Sequence, residues 1–160
     1  MEHEERGAQD VRRVLWRWGR IDRRISELME QMRVAVDRAN SLYELGGSRP
    51  MDGQPHGTMT GDPVYRAVER IQHMRELFAQ EIETCEAQIK EAQEFKAAVN
   101  EAVATLPPIQ QDILRLRYCA GYNWVYIGFK VYMSESNARR HDTLACQKLS
   151  HLIEVRGVKD

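Results

Sequence analysis

Two long apolar stripes constrain the fold of this chain more than any other feature of its sequence. One runs from Val11 to Leu42 and the other from Val64 to Leu106, and in both the apolar residues recur at steps of three and four. Such spacing places them along one face of an α-helix. No proline interrupts either stripe. At 1.5 Å rise per residue, the first helix alone would be about 55 Å long.

The boundaries of these two helices follow from local signals. We expect helices over about 9–45 and 62–106, joined by a mobile loop over 46–61 that is rich in proline and glycine. Asp62 is a suitable N-cap and Pro63 a suitable first helical residue. Together, residues 1–107 are predicted to form a long antiparallel coiled-coil helical hairpin. A helical bundle without supercoiling would use the same residues.

Charges flanking the stripes favour the antiparallel pairing. Folding back about the loop places residue i of the first helix near residue 107−i of the second. An arginine-rich run of the first helix then lies opposite a run of glutamates in the second. We interpret the arginines as partners in ion pairs within the hairpin, with a nucleic-acid patch as the alternative. Trp18 lies on the stripe and is assigned to the core, whereas Trp16 lies off it and is a candidate contact to a partner chain. The arginines are Arg12, Arg13, Arg17, Arg20, Arg23 and Arg24, and the glutamates are Glu81, Glu83, Glu86, Glu91 and Glu94.

A second region begins after Leu106-Pro107-Pro108, because proline cannot continue a helix but can start one. Three short helices are predicted in residues 108–156, over about 109–118, 124–131 and 135–153. Gly121 suits a turn with positive φ, and Asn123 and Ser134 suit the N-caps of the second and third helices. Short helices joined by a tight turn are typical of a helix-turn-helix DNA-binding domain.

The distribution of charge agrees with a nucleic-acid partner for this region. Residues 1–107 carry 15 Lys and Arg against 19 Asp and Glu, a net of −4, whereas residues 108–160 carry 8 against 5, a net of +3. Arg can pair with guanine and Asn with adenine in the major groove, while other arginines hold phosphates. The candidate DNA-binding residues are Ser136, Asn137, Arg139, Arg140 and Thr143 on the third helix, with Arg115 and Arg117 for phosphates.

The stretch LPPIQQDILRLRYCAGYNWVYI, residues 106–127, resembles the start of sigma-70-type region 4, and SESNARRHDTLACQKL, residues 134–149, is similar to that family's recognition helix. The whole chain also resembles small phage and prophage proteins that join a helical hairpin to a region-4-like end. This resemblance implies an all-α transcriptional regulator of phage or prophage genes in the cytoplasm of a bacterial host. Its expected partners are double-stranded DNA and RNA polymerase. The hairpin would serve self-association, as a homodimer or higher oligomer, or polymerase docking.

The chain departs from the family pattern at identifiable positions. The family's Glu-Ile-Ala element reads Tyr126-Ile127-Gly128 here, which keeps a small residue for close helix approach. Tyr132 stands where the family has glycine, so a positive φ there would be strained. Glu135 and Asp142 are expected to place negative charge on or near the recognition helix and to weaken its attraction for phosphates.

Other functional classes find little support in the sequence. Three scattered cysteines do not make a disulfide framework, and they fit a reducing cytosol. No His or Cys spacing of a metal site, phosphate loop or nucleophile motif occurs, so no enzyme, cofactor or metal is expected. No apolar run approaches the roughly 18 to 20 residues that span a bilayer, so no membrane partner is expected. The alternatives are a phage DNA-packaging protein resembling a small terminase subunit, which assembles into rings, and a protein-binding module.

Overall fold

The computed structural model describes residues 2–46 and 63–155, and these residues form helices and turns with no strand among them. The all-α prediction is confirmed. The helices are α1 (Glu2–Gly46), α2 (Pro63–Ala104), α3 (Pro108–Leu114), α4 (Trp124–Lys130) and α5 (Glu135–Val155). A π-helical turn, Arg115–Cys119, continues α3.

The long helices α1 and α2 pack against each other, as the two stripes predict. α1 begins seven residues before the expected position 9, and α2 ends at Ala104. The predicted loop 46–61, beyond Gly46, and the proposed N-cap Asp62 lie outside the described residues. None of the helices among the described residues is both long enough and apolar enough to cross a membrane.

The two helices run antiparallel, but their register differs from the predicted 107−i pairing. Trp18 Nε1 donates a hydrogen bond to Asn100 Oδ1 at 2.9 Å, and Lys96 Nζ lies 2.6 Å from Asp22 Oδ1. Both partners lie eleven residues beyond the expected positions, because packing of the apolar faces, rather than the loop, sets the register. One predicted ion pair is present, between Arg17 and Glu91 at 3.8 Å.

Contacts divide the chain into two compact units. The first contains the residues up to Ile25 together with those from Glu91 onward, and the second spans Ser26–Lys90. Among the described residues the first unit has two hydrophobic clusters, and the larger one crosses the expected boundary between residues 107 and 108. The assignment of residues 108–156 to a separate domain stays a prediction. The larger cluster combines Val11, Val14, Leu15, Trp18 and Ile21 of α1 with Phe95, Val99, Ala102, Val103 and Leu106 near the end of α2, and with Leu114, Tyr118, Ala145, Cys146, Leu149 and Ile153.

Gly19 is where α1 and the π-helical turn come closest. A Cβ atom on Gly19 would lie only 1.9 Å from the carbonyl oxygen of Tyr118. The sequence marks this glycine only as a weak point in a helix, since glycine costs about 1 kcal/mol against alanine. In the structure it is the residue that lets the backbone of the π-helical turn approach α1.

The second unit has a thinner core. Among the residues whose side chains the structure describes there, the buried apolar ones are Leu28 and Ala35 of α1 and Cys85 and Ile89 of α2. Two members of the second stripe, Val68 and Met74, are exposed, together with Met29, Val36, Tyr65 and Leu77. The stripe therefore predicts the helix correctly but overestimates how much of it is covered within one chain.

Candidate nucleic-acid interface

Helix α5 has one buried face and one face open to solvent. Ser134 Oγ accepts a hydrogen bond from the backbone N–H of Asn137 at 3.3 Å, which fits the predicted N-cap. The buried face anchors the helix in the core through Ala138, Asp142, Ala145, Cys146, Leu149 and Ile153. The first two turns consequently present their remaining side chains outward.

The tight connection between α4 and α5 depends on two unusual residues. A Cβ atom on Gly128 would lie 2.7 Å from the carbonyl oxygen of Met133, so the small residue that the sequence predicts for close approach is required. Tyr132 adopts φ 56°, the left-handed conformation expected to strain a bulky residue. Before α4, Gly121 has φ 74° and Asn123 Oδ1 accepts a hydrogen bond from Tyr126 N at 2.8 Å, both as predicted.

Four of the candidate base contacts share one exposed edge of α5. Ser136, Asn137, Arg140 and Thr143 are all exposed, and their spacing brings them together on a helix. The side chains of the first three make no hydrogen bond or ion pair with any other described residue. Thr143 Oγ1 donates to the carbonyl oxygen of Arg139 at 3.1 Å. A ligand can therefore form hydrogen bonds with this edge while few existing hydrogen bonds have to break.

Arg139 is already engaged. Its guanidinium donates two hydrogen bonds to Glu135 Oε1, at 2.6 and 3.0 Å, and lies 5.3 Å from the ring centre of Trp124. An exposed pair of this kind contributes at most about 1 kcal/mol, so a phosphate can compete for the arginine. Glu135 thus neutralises one arginine locally rather than opposing the whole edge.

The two arginines predicted to hold phosphates differ in their surroundings. Arg115 is exposed, with Asp112 at 4.0 Å. Arg117 is half-buried: it donates to the carbonyl oxygen of Tyr122 at 3.0 Å and lies between the rings of Trp16 and Trp124. Arg115 is open to a ligand as it stands, while Arg117 also links parts of the fold.

Asp142 is buried, which corrects its assignment as a surface charge on the recognition helix. Only 2% of it is exposed. Tyr118 Oη donates a hydrogen bond to Asp142 Oδ1 at 3.0 Å, and Arg12 Nη2 donates to Oδ2 at 3.5 Å. Desolvation raises the pKa of Asp142, while these two donors oppose the rise. The carboxyl group therefore orients α5 from within and does not repel phosphates at the surface.

Helix α1 contributes residues here that the sequence assigns elsewhere. Arg12 also donates to Thr143 Oγ1 at 3.4 Å, so an arginine expected in a hairpin ion pair lies beside the candidate interface. Trp16, expected to face a partner chain, packs edge-on against Tyr118 with ring centres 5.0 Å apart. The available signal was that Trp16 lies off the stripe, which indicates a second contact but not its partner.

A cluster of exposed apolar side chains covers the outer side of α4, and we call it the α4 aromatic patch. It consists of Tyr122, Val125, Tyr126, Phe129 and Tyr132, of which Tyr132 is 96% exposed. The rings of Tyr122 and Tyr126 are 4.4 Å apart. Sequence patterns do not indicate this cluster, because they mark Tyr126 and Tyr132 only as departures from the family pattern.

The described residues contain no group of three or more His, Cys, Asp or Glu side chains that could hold a metal ion. Comparison with models of protein families, with curated proteins and with solved structures finds no match to this chain. A functional proposal must therefore start from the exposed edge of α5 and its neighbours.

Proposed function

We propose that this protein binds double-stranded DNA as a transcriptional regulator, with α4 and α5 acting as a helix-turn-helix and α5 entering the major groove. The observation that carries the proposal is the exposed edge of α5. There Ser136, Asn137 and Arg140 have no competing partner among the described residues, while the opposite face is fixed in the core. A helix held in this way presents base-contacting groups that need little rearrangement on binding.

The side chains of this edge match the chemistry of base edges and phosphates. Arg140 can form two hydrogen bonds with guanine, and Asn137 can do the same with adenine. Thr143 adds a hydroxyl group to this edge, and the exposed Arg115 supplies a phosphate contact that fixes the orientation of the helix. Arg139 joins them if a phosphate displaces Glu135.

Promoter DNA is the proposed target because of the resemblance to sigma region 4 across residues 106–149. Within that proposal the protein regulates phage or prophage genes, in contact with RNA polymerase or alongside it. The hairpin then serves self-association or polymerase docking. Exposed stripe residues such as Val68 and Met74 support self-association, because they belong to an apolar face that one chain leaves open.

Selection of bound sequences from random duplex DNA, with and without RNA polymerase, tests the proposal. An enriched motif is the expected result, and Arg140→Ala should weaken binding to it by about 1–3 kcal/mol. Arg38→Ala is the matched control, since Arg38 is an exposed arginine of the second compact unit. Absence of binding by the wild-type protein even at low salt would exclude the DNA-binding function.

The mass of the protein in solution tests the role of the hairpin. Light scattering should give a dimer or a small oligomer for a regulator. A ring of eight or more subunits would instead favour the DNA-packaging alternative, and a monomer at high concentration would exclude self-association.

The α4 aromatic patch favours a second candidate, a protein-binding module. Contiguous exposed aromatic side chains are common where proteins bind proteins. Replacing Phe129, which is 75% exposed, by Ser separates the two candidates. DNA affinity should be retained if α5 is the functional surface.

A further inference from the structure

Five arginine and tryptophan side chains alternate in a chain of contacts that ends on α5, and we call this set the Arg–Trp ladder. Its order is Arg20, Trp16, Arg117, Trp124, Arg139, and each guanidinium lies over an indole ring. The distances from guanidinium carbon to ring centre are 5.9, 5.4, 4.9 and 5.3 Å along the stack. All are within the roughly 6 Å range of a cation–π contact. The ladder thus places three positive charges in one row.

The ladder is built from four separate parts of the fold. Arg20 and Trp16 belong to α1, Arg117 to the π-helical turn, Trp124 to α4 and Arg139 to α5. All five residues lie in the first compact unit, so their arrangement is internal to it. Trp16 is held by its edge-on contact with Tyr118, and Trp124 packs against the second core cluster around Ile113. The rings therefore fix where the guanidinium groups lie.

Most of the charge in the ladder is not neutralised by a bonded carboxylate. Arg139 pairs with Glu135. Arg117 donates its hydrogen bond to a carbonyl group, and the nearby Asp142 is buried and bonded to Tyr118 and Arg12. Arg20 makes no hydrogen bond or ion pair within the described ranges. An arginine stacked on an indole covers its flat face while its N–H groups stay available at the edge, which is the geometry that phosphate oxygens accept.

We propose that the Arg–Trp ladder is a phosphate-binding surface for the DNA backbone, which extends the contact of α5 onto α1. This inference rests on the proposed function and adds a second binding surface to it. Its last member, Arg139, lies on α5, the same helix that carries the candidate base contact Arg140. Several neighbouring cations can each contact a phosphate, because the phosphates of a DNA strand recur at regular intervals.

The test measures how the affinity of the full-length protein for a fluorescent mixed-sequence duplex depends on salt concentration. Arg20→Gln should lower the affinity on the order of threefold to tenfold and reduce the slope of log K against log salt by about 0.9, equally for all sequences. Arg20→Lys keeps the charge and should keep the slope. Arg38→Gln is the control, and both its slope and its affinity should equal those of the wild type.

Asn137→Ala provides the contrast, since it should change sequence preference and leave the salt slope unchanged. An unchanged slope and affinity for Arg20→Gln, in an experiment where Arg140→Ala does weaken binding, would overturn the ladder and leave the proposed function intact. A loss of affinity in Arg20→Gln that depends on the DNA sequence would also overturn the phosphate-binding role of the ladder, because phosphates are the same at every base pair. No binding by the wild-type protein would overturn both proposals. Tryptophan fluorescence checks that each variant is folded, and Arg20→Ala replaces Arg20→Gln if that variant is not.

Discussion

The two parts of helix α1 have similar sequence patterns but different environments. In the first compact unit, α1 is in contact with α2, with the π-helical turn and with α5, and Val11, Val14, Leu15, Trp18 and Ile21 are all buried. In the second unit the buried residues of α1 up to Leu42 are Leu28 and Ala35. The same kind of apolar stripe therefore forms a dense core where further helices pack against α1. It forms a thin core where α2 alone packs against it.

This difference bears directly on function. The candidate interface lies entirely in the densely packed unit, where Arg12 and Trp16 of α1 reach the neighbourhood of α5. Binding surfaces gain precision when packed elements hold their side chains in place. The thin unit offers exposed apolar residues instead, which suit association between chains.

Each unit can be followed separately in solution. The three tryptophans, Trp16, Trp18 and Trp124, all lie in the first unit, so intrinsic fluorescence reports on that unit. Cys85 is buried in the second unit, so its reactivity toward a thiol reagent reports on that one. Replacing the other two cysteines, Cys119 by Ser and Cys146 by Ala, leaves Cys85 as the reacting thiol.

The largest effect is expected for Gly19→Ala. Alanine favours helix over glycine, but its Cβ would meet the carbonyl oxygen of Tyr118, a backbone atom that cannot easily move. We expect a loss of about 3 kcal/mol in the free energy of unfolding measured by fluorescence in urea. Gly7→Ala is the matched control on the same helix, because its Cβ would be 3.6 Å from Ser150 Cβ, an ordinary contact. A Gly19→Ala protein as stable as the wild type would show that this close approach is not required.

The next largest effect is expected for Arg12→Ala. Removing this side chain leaves the buried carboxylate of Asp142 without a charged partner, with Tyr118 and the weaker donor Cys146 Sγ bonded to its other oxygen. Because Arg12 is partly exposed, we expect a loss of about 2 kcal/mol, below the range for a fully buried pair. Fluorescence should report this loss, while the reactivity of Cys85 should change little. Equal effects on both probes would mean that the two units unfold together.

Local features of the fold could be predicted from the sequence. The N-caps Asn123 and Ser134, the turn at Gly121 and the small residue Gly128 depend on neighbours a few residues away. Helix periodicity likewise identified most of the buried positions. For the candidate site, exposure of Ser136, Asn137 and Arg140 followed from the same periodicity, because the opposite face of α5 carries the apolar residues.

Contacts between distant segments could not be predicted. A stripe shows that a face is buried but not which element covers it, so the packing of α1 on the C-terminal helices was missed. That packing explains what the sequence did not reveal at three positions: the close approach at Gly19, the contact of Trp16 with Tyr118, and the burial of Asp142. In each case the deciding neighbour is at least 24 residues away in the chain; Asp142, for instance, bonds Tyr118.

A smaller effect, on pH dependence, is expected at Asp142. Because burial raises the pKa of this acid in the folded state, the folded protein binds its proton more tightly, and stability contributed by protonation is lost as pH rises through that pKa. The charged and titratable groups near it are Arg12 of α1, Tyr118 and Arg117 of the π-helical turn, and Cys146 of α5, whose pKa burial raises to about 12. The Asp142→Asn variant has no carboxyl group at this position, so it is the reference that does not titrate.

Urea unfolding from about pH 4 upward, near the ordinary pKa of Asp, measures this difference. The wild type should lose stability relative to Asp142→Asn as the pH rises, and the two curves should run parallel once the carboxyl group is fully ionised. A wild type that instead gains stability relative to the variant over this range would mean that Arg12 and Tyr118 outweigh the desolvation. Tyr118→Phe removes one donor and should enlarge the difference.

The smallest effect is expected for Arg33→Ala, the counterpart of Arg12→Ala in the thin unit. Arg33 bonds Glu30 at 2.7 Å and Asp37 at 3.0 Å, shorter distances than the 3.5 Å between Arg12 and Asp142. All three side chains are exposed, and exposed ion pairs contribute little because water screens them and their ordering costs entropy. We expect no measurable change in the free energy of unfolding, as reported by the reactivity of Cys85 in urea. A loss as large as that of Arg12→Ala would mean that length rather than burial determines the strength of these pairs, and the contrast between the two parts of α1 would then need another explanation.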